Sequence, residues 1–121
     1  MKIKVSEAAG SVLDWMVAKA LGKEVVRWAG LIHLKDDTNL ERVPVWSPST
    51  DWSQGGPIIE GQHIELKYLG YDRPPYWGAL KFSPSKYERA AQIGPTALVA
   101  AMRCFVCSRI GDEVDVPEEL L

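Results

Sequence analysis

The stretch that most constrains the fold is "GPTALVAAMRCFVCSRIGDE", near the end of the 121-residue chain. It starts with a proline and a threonine, which suit a helix N-terminus, and it closes at Gly111, which suits a helix end. Between these points only Arg103, Ser108 and Arg109 are clearly polar. A helix that is apolar on nearly all sides has to be covered by other elements. The sequence therefore predicts a central helix with the rest of the chain packed around it.

Three other segments have the periodicity of regular structure. Residues 6–22, "SEAAGSVLDWMVAKALG", repeat apolar positions at helical spacing between an N-cap candidate, Ser6, and a terminal Gly22. "KEVVRWAGLIHLK" is rich in β-branched and aromatic residues around Ala29-Gly30, which indicates two strands or one bent strand. "HIELKYLGY" alternates like a half-buried strand.

These segments predict an α+β fold: a small single domain, residues 1–121, with two main helices packed with a few mostly antiparallel strands. The tail "EVDVPEELL" predicts a short edge strand before Pro117, with residues 117–121 as a frayed end. Asp36 to Pro48 is polar and interrupted by prolines, so an irregular path is expected there. A second loop is expected where Pro74, Pro75 and Pro84 surround Trp77.

The segment "WSPSTDWSQGGPIIEG", Trp46 to Gly61, combines two tryptophans with hydroxyls, an aspartate and Gly-Gly-Pro. Asp51 and Gln54 have the spacing of a capping box, and Gly55 lies where a one-turn helix would end. The glycines and proline indicate a tight turn. A turn gains nothing from two indoles, however, so one is expected to anchor the loop in the core and the other to line a cleft beside residues 94–96.

Charge and hydropathy exclude two classes of partner. Fourteen basic and 16 acidic residues give a net charge of −2, so there is no positive field for duplex nucleic acid. The longest apolar run, residues 97–102, falls far short of the ~20 residues that span a bilayer. Charged residues interrupt the N-terminal segment, which argues against a signal peptide and favours the cytoplasm.

Cys104 and Cys107 form a C-x-x-C within the predicted central helix. A redox pair uses the N-terminus of a helix to lower a thiol pKa, whereas this pair lies toward the C-terminal half. A zinc site would need further ligands at suitable spacing, and His33 and His63 are isolated. The favoured interpretation is two buried, reduced thiols that pack as small apolar groups.

Arg103 is more informative, because a guanidinium in an apolar helix needs a partner. Asp14 and Asp51 are the acidic candidates, and an Asp14–Arg103 ion pair that only joins two helices is the favoured interpretation. The alternative is that Arg103 also faces a cleft and receives an anion. Free N–H groups at the start of the same helix, around Thr96, would support an anion there.

Three segments resemble the NinX-like family, small proteins encoded by tailed bacteriophages and prophages: "LDWMVAKALG", "SPSTDWSQGGPIIE" and "GPTALVAAMRCFVCSRIGDEVDVPEEL". They lie in the same order at the start, middle and end of the chain. The resemblance implies a phage accessory protein that acts in the cytoplasm of an infected bacterium, where such proteins often modulate host functions. It implies no particular activity, so the candidate site depends on the chemistry of the residues.

The leading hypothesis is a non-enzymatic protein that binds a small polar ligand, a nucleotide-like anion, without a cofactor or metal. The cleft would lie between the Trp46 to Pro57 loop and the start of the last helix. Its expected ligand-binding residues are Trp46, Ser49, Asp51, Trp52, Gln54, Thr96 and Arg103. The alternatives are a module that binds a host bacterial protein through exposed tryptophans and, least favoured, a small hydrolase with Asp51 as base. The sequence leaves the oligomeric state open, a homo-oligomer included.

Overall fold

The computed structural model describes residues 1–35, 44–70, 76–83 and 88–121. The helices are α1 (Gly10–Ala20), α2 (Trp52–Gly61) and α3 (Ala97–Arg109). The strands are β1 (Lys2–Lys4), β2 (Val25–Trp28), β3 (Leu31–Leu34), β4 (Glu65–Tyr68), β5 (Trp77–Ser83), β6 (Glu88–Gly94) and β7 (Glu113–Asp115). They pair as β1–β7, β2–β3 and β4–β5–β6, and each of these pairings is antiparallel. The predicted α+β class is confirmed.

Helix α3 is the central element, as its sequence predicts. Most of its residues are buried, and Phe105 is fully enclosed. The Thr96 side chain caps the helix by accepting a hydrogen bond of 3.1 Å from the Val99 N–H. The helix ends just before Gly111, whose φ of 133° favours glycine. Strands β5 and β6 cover one side of α3, and α1 and α2 cover others.

The β4–β5–β6 sheet has one covered face and one exposed face. Leu66, Ala79 and Gln92 are register partners on the face that packs on α3, and Ala79 is buried. On the same face the Lys81 ammonium lies over the Phe105 ring, 5.8 Å from its centroid. Side chains alternate between the faces of a strand, so the next positions along each strand point away from α3.

The β2–β3 hairpin confirms the prediction of two strands. Its turn residues Ala29 and Gly30 have φ values of 54° and 79°. Two successive positive φ values are typical of the type I′ turn, whose twist matches that of the flanking strands. The segment therefore forms two strands and not one bent strand.

The end of α1 was predicted correctly and its start was not. Gly22 has φ of 73°, and its N–H and that of Lys23 donate back to Lys19 and Ala18, the pattern of a glycine-terminated helix. At the other end, Ser6 lies in a 3-10 turn, Val5–Glu7, and does not cap α1. The helix starts after Ala9 without a side-chain cap.

Two loop predictions were wrong. The segment that starts at Trp77 is strand β5, and β6 follows it, whereas Pro74, Pro75 and Pro84 of the predicted loop lie outside the described residues. The predicted one-turn helix and tight turn at Gly55-Gly56-Pro57 are instead the middle of the ten-residue α2. Pro57 forfeits one helical hydrogen bond, but the helix continues past it, and the partly buried Ile58 and Ile59 pack against the core.

The remaining predictions concern the loops and the tail. Residues 36–43, most of the predicted irregular path, lie outside the described residues. The predicted edge strand is β7, which pairs with β1, and Glu118–Leu120 form a 3-10 turn with Leu120 against the core. Within the described ranges, no helix has the length and apolar character to cross a membrane.

Candidate functional site

The segment Trp46–Gly61, here called the tryptophan corner, is fixed to α1 through Asp14. The Trp46 side chain is buried, and its indole Nε1 donates to the Asp14 main-chain oxygen at 2.9 Å. The Ser49 N–H donates to Asp14 Oδ1 at 2.8 Å. The Trp46 N–H also donates to the Ile32 oxygen at 2.8 Å. One residue of α1 therefore holds the loop by its backbone and by its carboxyl group.

Asp14 is unusual for an acidic residue, because it is only 4% exposed. Burial raises the pKa of Asp14, and the hydrogen bonding from Ser49 opposes this rise without cancelling it. The Ser49 hydroxyl is close enough to contribute to that effect, yet it forms no hydrogen bond of normal geometry to a described group. Ser49 is 1% exposed, so the corner contains an almost fully buried hydroxyl with unused hydrogen-bonding capacity.

Asp51 and Gln54 both have structural hydrogen bonds. Asp51 caps α2 by accepting from the Ser53 N–H at 2.9 Å and from the Ser53 hydroxyl at 2.7 Å. Gln54 does not complete a capping box. Its Oε1 accepts from the Ser47 N–H at 2.6 Å and its Nε2 donates to the Val45 oxygen at 2.8 Å. Both side chains thus stabilise the loop, which leaves them little capacity for a ligand.

Gly55 allows α2 to approach its neighbours closely. A Cβ atom at this position would overlap the Pro48 carbonyl oxygen and lie 2.6 Å from Leu98 Cδ2. At Gly56, by contrast, the nearest atom would be in the Trp52 ring at 4.0 Å. The absent side chain at Gly55 therefore serves the packing of α2 against the loop and α3.

A cleft of about 240 Å³ lies between the tryptophan corner and the start of α3. It is lined by Ser49, Thr50, Trp52, Thr96, Ala97, Leu98 and Val99. The two indoles divide as the sequence predicts: Trp46 anchors the loop, and Trp52, 55% exposed, lines the cleft. Neither the Ala97 nor the Leu98 N–H donates to a described group, and both belong to the positive end of the helix dipole.

Arg103 corrects the prediction made for it. It forms no ion pair with Asp14 or Asp51, and it does not line the cleft. Its Nε donates to the Ala8 oxygen and one terminal nitrogen donates to the Ile93 oxygen, each at 2.9 Å. Burial lowers the pKa of Arg103. Two backbone carbonyls can satisfy a partly exposed guanidinium, because its charge keeps some access to water.

Three of the seven expected ligand-binding residues therefore meet at one cleft: Ser49, Trp52 and Thr96. Trp46, Asp51, Gln54 and Arg103 hold the surrounding backbone in place instead. Thr50, Ala97, Leu98 and Val99 were not named in advance, although the first turn of α3 was predicted to form part of the cleft. The sequence feature that pointed to this turn was the N-cap at Thr96, because the residues that follow an N-cap have free N–H groups.

The two cysteines are free thiols in different environments. Cys104 is fully buried, its Sγ contacts the Ala90 oxygen at 3.3 Å, and burial raises its pKa to about 11. Cys107 is only partly buried, which corrects the prediction that both are enclosed. Burial also raises the pKa of Cys107, and its Sγ contacts Asp112 Oδ1 at 3.2 Å. Neither environment favours a thiolate.

The surroundings of Asp51 do not favour the hydrolase alternative, in which Asp51 would act as a base. Its Oδ1 already accepts two hydrogen bonds from Ser53, and the described residues that line the cleft beside it include no histidine. Among the residues that the structure describes, no three His, Cys, Asp or Glu side chains are grouped to hold a metal ion.

Comparison with known families supports the resemblance seen in the sequence. A family model described as "Bacteriophage P22, NinX" matches residues 4–109. The chain belongs to the NinX family of phage proteins. A search of curated proteins finds no match. The matched range contains α1, the tryptophan corner and α3, so the elements that form the cleft all lie within the family region.

Proposed function

We propose that this NinX-family chain is a non-enzymatic phage accessory protein that binds a small anionic, nucleotide-like ligand in the cytoplasm of the infected host. The observation that carries the proposal is the convergence of Trp52, Ser49 and the first turn of α3 on one cleft. The cleft combines an exposed indole, which can stack on a planar group, with an almost fully buried hydroxyl and two free N–H groups, which can bind an anion.

The dimensions and charge of the cleft restrict the ligand. A volume of about 240 Å³ is below the roughly 300 to 1,000 Å³ of sites that enclose a drug-sized molecule. No lysine or arginine of the described residues lines it, so an anion would be held by N–H groups and the helix dipole. The ligand is therefore enclosed only in part, with its anionic group at Ala97 and Leu98 and a planar group against Trp52.

Titration of the protein with a nucleoside monophosphate, the matching nucleoside and inorganic phosphate tests this proposal. Binding measured by calorimetry should be tightest for the monophosphate, because only that ligand uses both stacking and the N–H groups. Trp52→Ala should weaken it about tenfold, the usual effect of removing a ring that stacks on a base. Trp28→Ala is the matched control, since Trp28 is also exposed, at 42%, but does not line the cleft.

The anion-binding half of the cleft has its own variant. Ala97→Pro removes one free N–H at the first helical position, where proline is tolerated. Thr96 already has the extended φ of −130° and ψ of 161° that a residue before proline requires. We expect weaker monophosphate binding with nucleoside binding unchanged. Equal titration curves for the parent, Trp52→Ala and Ala97→Pro proteins would reject the site.

Binding of a host protein is the second candidate, favoured by the exposure of Trp52 and Trp28. Such indoles are common at the centres of protein interfaces. Capture of one host protein that is lost in Trp52→Ala or Trp28→Ala, together with no response to the three small ligands, would favour this candidate over the first.

A further inference from the structure

The exposed face of the β4–β5–β6 sheet carries an apolar groove of about 580 Å³, which is separate from the cleft at α3. Phe82 and Ile93 are 51% and 53% exposed, and Leu69 is 39% exposed. These side chains lie on the opposite face of the sheet from α3. A cluster of exposed apolar side chains on one sheet face usually marks an interaction surface.

The residues of this face form two rows with opposite character. Register places Glu65, Leu80 and Ala91 side by side across the three strands. Two residues along each strand, the neighbouring row is Lys67, Gly78 and Ile93. Between the rows, the Leu66–Ala79–Gln92 row points to the other face. Each row thus holds one charged residue on β4, and its sign is opposite in the two rows. The large apolar residue is on β5 and the small residue on β6 in the first row, and the reverse holds in the second row.

A two-fold axis converts one row into the partner of the other. We infer that this face is the interface of a symmetric homodimer. The two-fold axis lies between the two sheets and parallel to them, runs perpendicular to the strands, and is level with the Leu66–Ala79–Gln92 row. Rotation about that axis brings the first row of one copy over the second row of the other copy. Glu65 then faces Lys67 of the second copy, and Lys67 faces its Glu65.

The apolar positions also match under the same rotation. Leu80 faces Gly78 of the second copy, where the tip of Leu69 fills the place of the missing side chain and offers an apolar contact. Ile93 faces Ala91 of the second copy, a large residue against a small one. Phe82 faces Tyr76, one step farther from the axis. Antiparallel alignment of two sheets about 10 Å apart is an ordinary packing geometry.

Charge makes a second copy the occupant that fits best. Neither Glu65 nor Lys67 forms an ion pair with a residue in the described ranges. A single chain therefore presents one free charge of each sign on the same strand and face. An isologous interface uses the same patch twice, so a patch that carries both charges on either side of the axis is complementary to itself. This inference does not depend on the proposed ligand site.

Sedimentation velocity across a wide concentration range tests the interface, with three charge variants. The parent should be a dimer that dissociates on dilution. Lys67→Glu and Glu65→Lys should each weaken the dimer by about tenfold or more, because each brings like charges together twice. Lys23→Glu makes the same charge change in the α1–β2 segment and should leave the dimer unaffected. Circular dichroism shows that each variant remains folded.

The decisive arm is a mixture of Lys67→Glu with Glu65→Lys. The first variant carries two acidic residues at the interface and the second carries two basic ones, so the mixture should form heterodimers at least as tightly as the parent forms homodimers. A parent that stays monomeric at the highest concentration would overturn the inference and leave the face to a different protein. Equal weakening by Lys23→Glu, or a mixture that fails to pair, would overturn it as well.

Discussion

The tryptophan corner and the exposed face of the sheet use similar residue types in opposite ways. In the corner, Trp46 is enclosed and Gln54 is half-buried and hydrogen-bonded, and the loop is held by the buried Asp14 of α1. On the sheet face, Phe82 and Ile93 are half exposed, and charged residues stand beside them without partners in the described chain. The difference indicates that the corner stabilises the single chain, whereas the sheet face contributes little until something covers it.

The largest expected effect that separates the two regions is at Gly55. Gly55→Ala places a methyl group against the Pro48 carbonyl oxygen, a backbone atom that cannot turn away as a side chain can. Overpacking of this kind should lower the free energy of unfolding by about 3 kcal/mol. Urea denaturation measures it.

Gly61→Ala is the matched control, six residues along the same helix. Apart from its chain neighbours, no described atom lies within 4 Å of a Cβ at this position, so the methyl group fits. Alanine should stabilise the helix by about 0.5 to 1 kcal/mol relative to glycine. If both variants lose the same stability, α2 does not pack on Pro48 and Leu98 as described.

The same glycine shows what sequence reasoning could reach. The periodicity of α1, α3, β2, β3 and β4 is local, and these elements were predicted from it. The chemistry of Gly55-Gly56-Pro57 is equally local and pointed to a turn. The actual role of Gly55 depends on Pro48, which lies in the loop before α2, and on Leu98, which belongs to α3. A glycine in a sequence does not show which neighbouring residue needs the space that its missing side chain leaves.

Strand β5 was missed for a related physical reason. Its inner face includes Lys81, whose long side chain reaches over Phe105, and its outer face includes Gly78 and Phe82. The resulting order of residues does not alternate between apolar and polar. Only the position of α3 reveals which face is covered, and that position is a tertiary property.

Arg103 gives the second largest expected effect. Arg103→Met removes the hydrogen bonds to the Ala8 and Ile93 carbonyl oxygens and should lower the free energy of unfolding by about 2 kcal/mol. The sequence favoured an ion pair with Asp14, but the partners of Arg103 are backbone oxygens, which every residue carries and which no sequence pattern identifies.

Arg109→Met is the matched control for this change. Arg109 is exposed, and its guanidinium lies over the Phe105 ring, 5.5 Å from the ring centroid. We expect a loss of less than about 1 kcal/mol. A larger effect at Arg109 than at Arg103 in thermal or urea unfolding would contradict the assigned contacts.

A smaller effect is expected at Asp14, and it depends on pH. Because the folded pKa of Asp14 is raised above its ordinary value of 3.8, the unfolded chain loses this proton first as pH rises. The contribution of Asp14 to stability therefore falls between pH 3.8 and the raised folded pKa. Asp14→Asn keeps an oxygen that can accept from the Ser49 N–H and removes the titration.

The measurement is the difference in free energy of unfolding between Asp14→Asn and the parent, followed from acidic to neutral pH. The free energy of unfolding of the variant should rise relative to that of the parent as pH rises through that window, and the difference should then stay level. A difference that moves in the opposite direction would show that the carboxylate is stabilised in the folded protein by more than its burial costs.

The smallest effect is expected on the exposed sheet face, at Ile93. Ile93→Thr retains a β-branched side chain in β6 and changes a residue that is 53% exposed, so the diluted, monomeric protein should lose no more than about 0.5 kcal/mol. Ile32→Thr makes the same change at a β3 position that is 4% exposed, and should cost about 2 kcal/mol because it buries a hydroxyl in place of apolar volume. Urea denaturation of both variants at low protein concentration measures the contrast. If Ile93→Thr costs as much as Ile32→Thr, the sheet face already contributes to the stability of the single chain, and the comparison between the two regions fails.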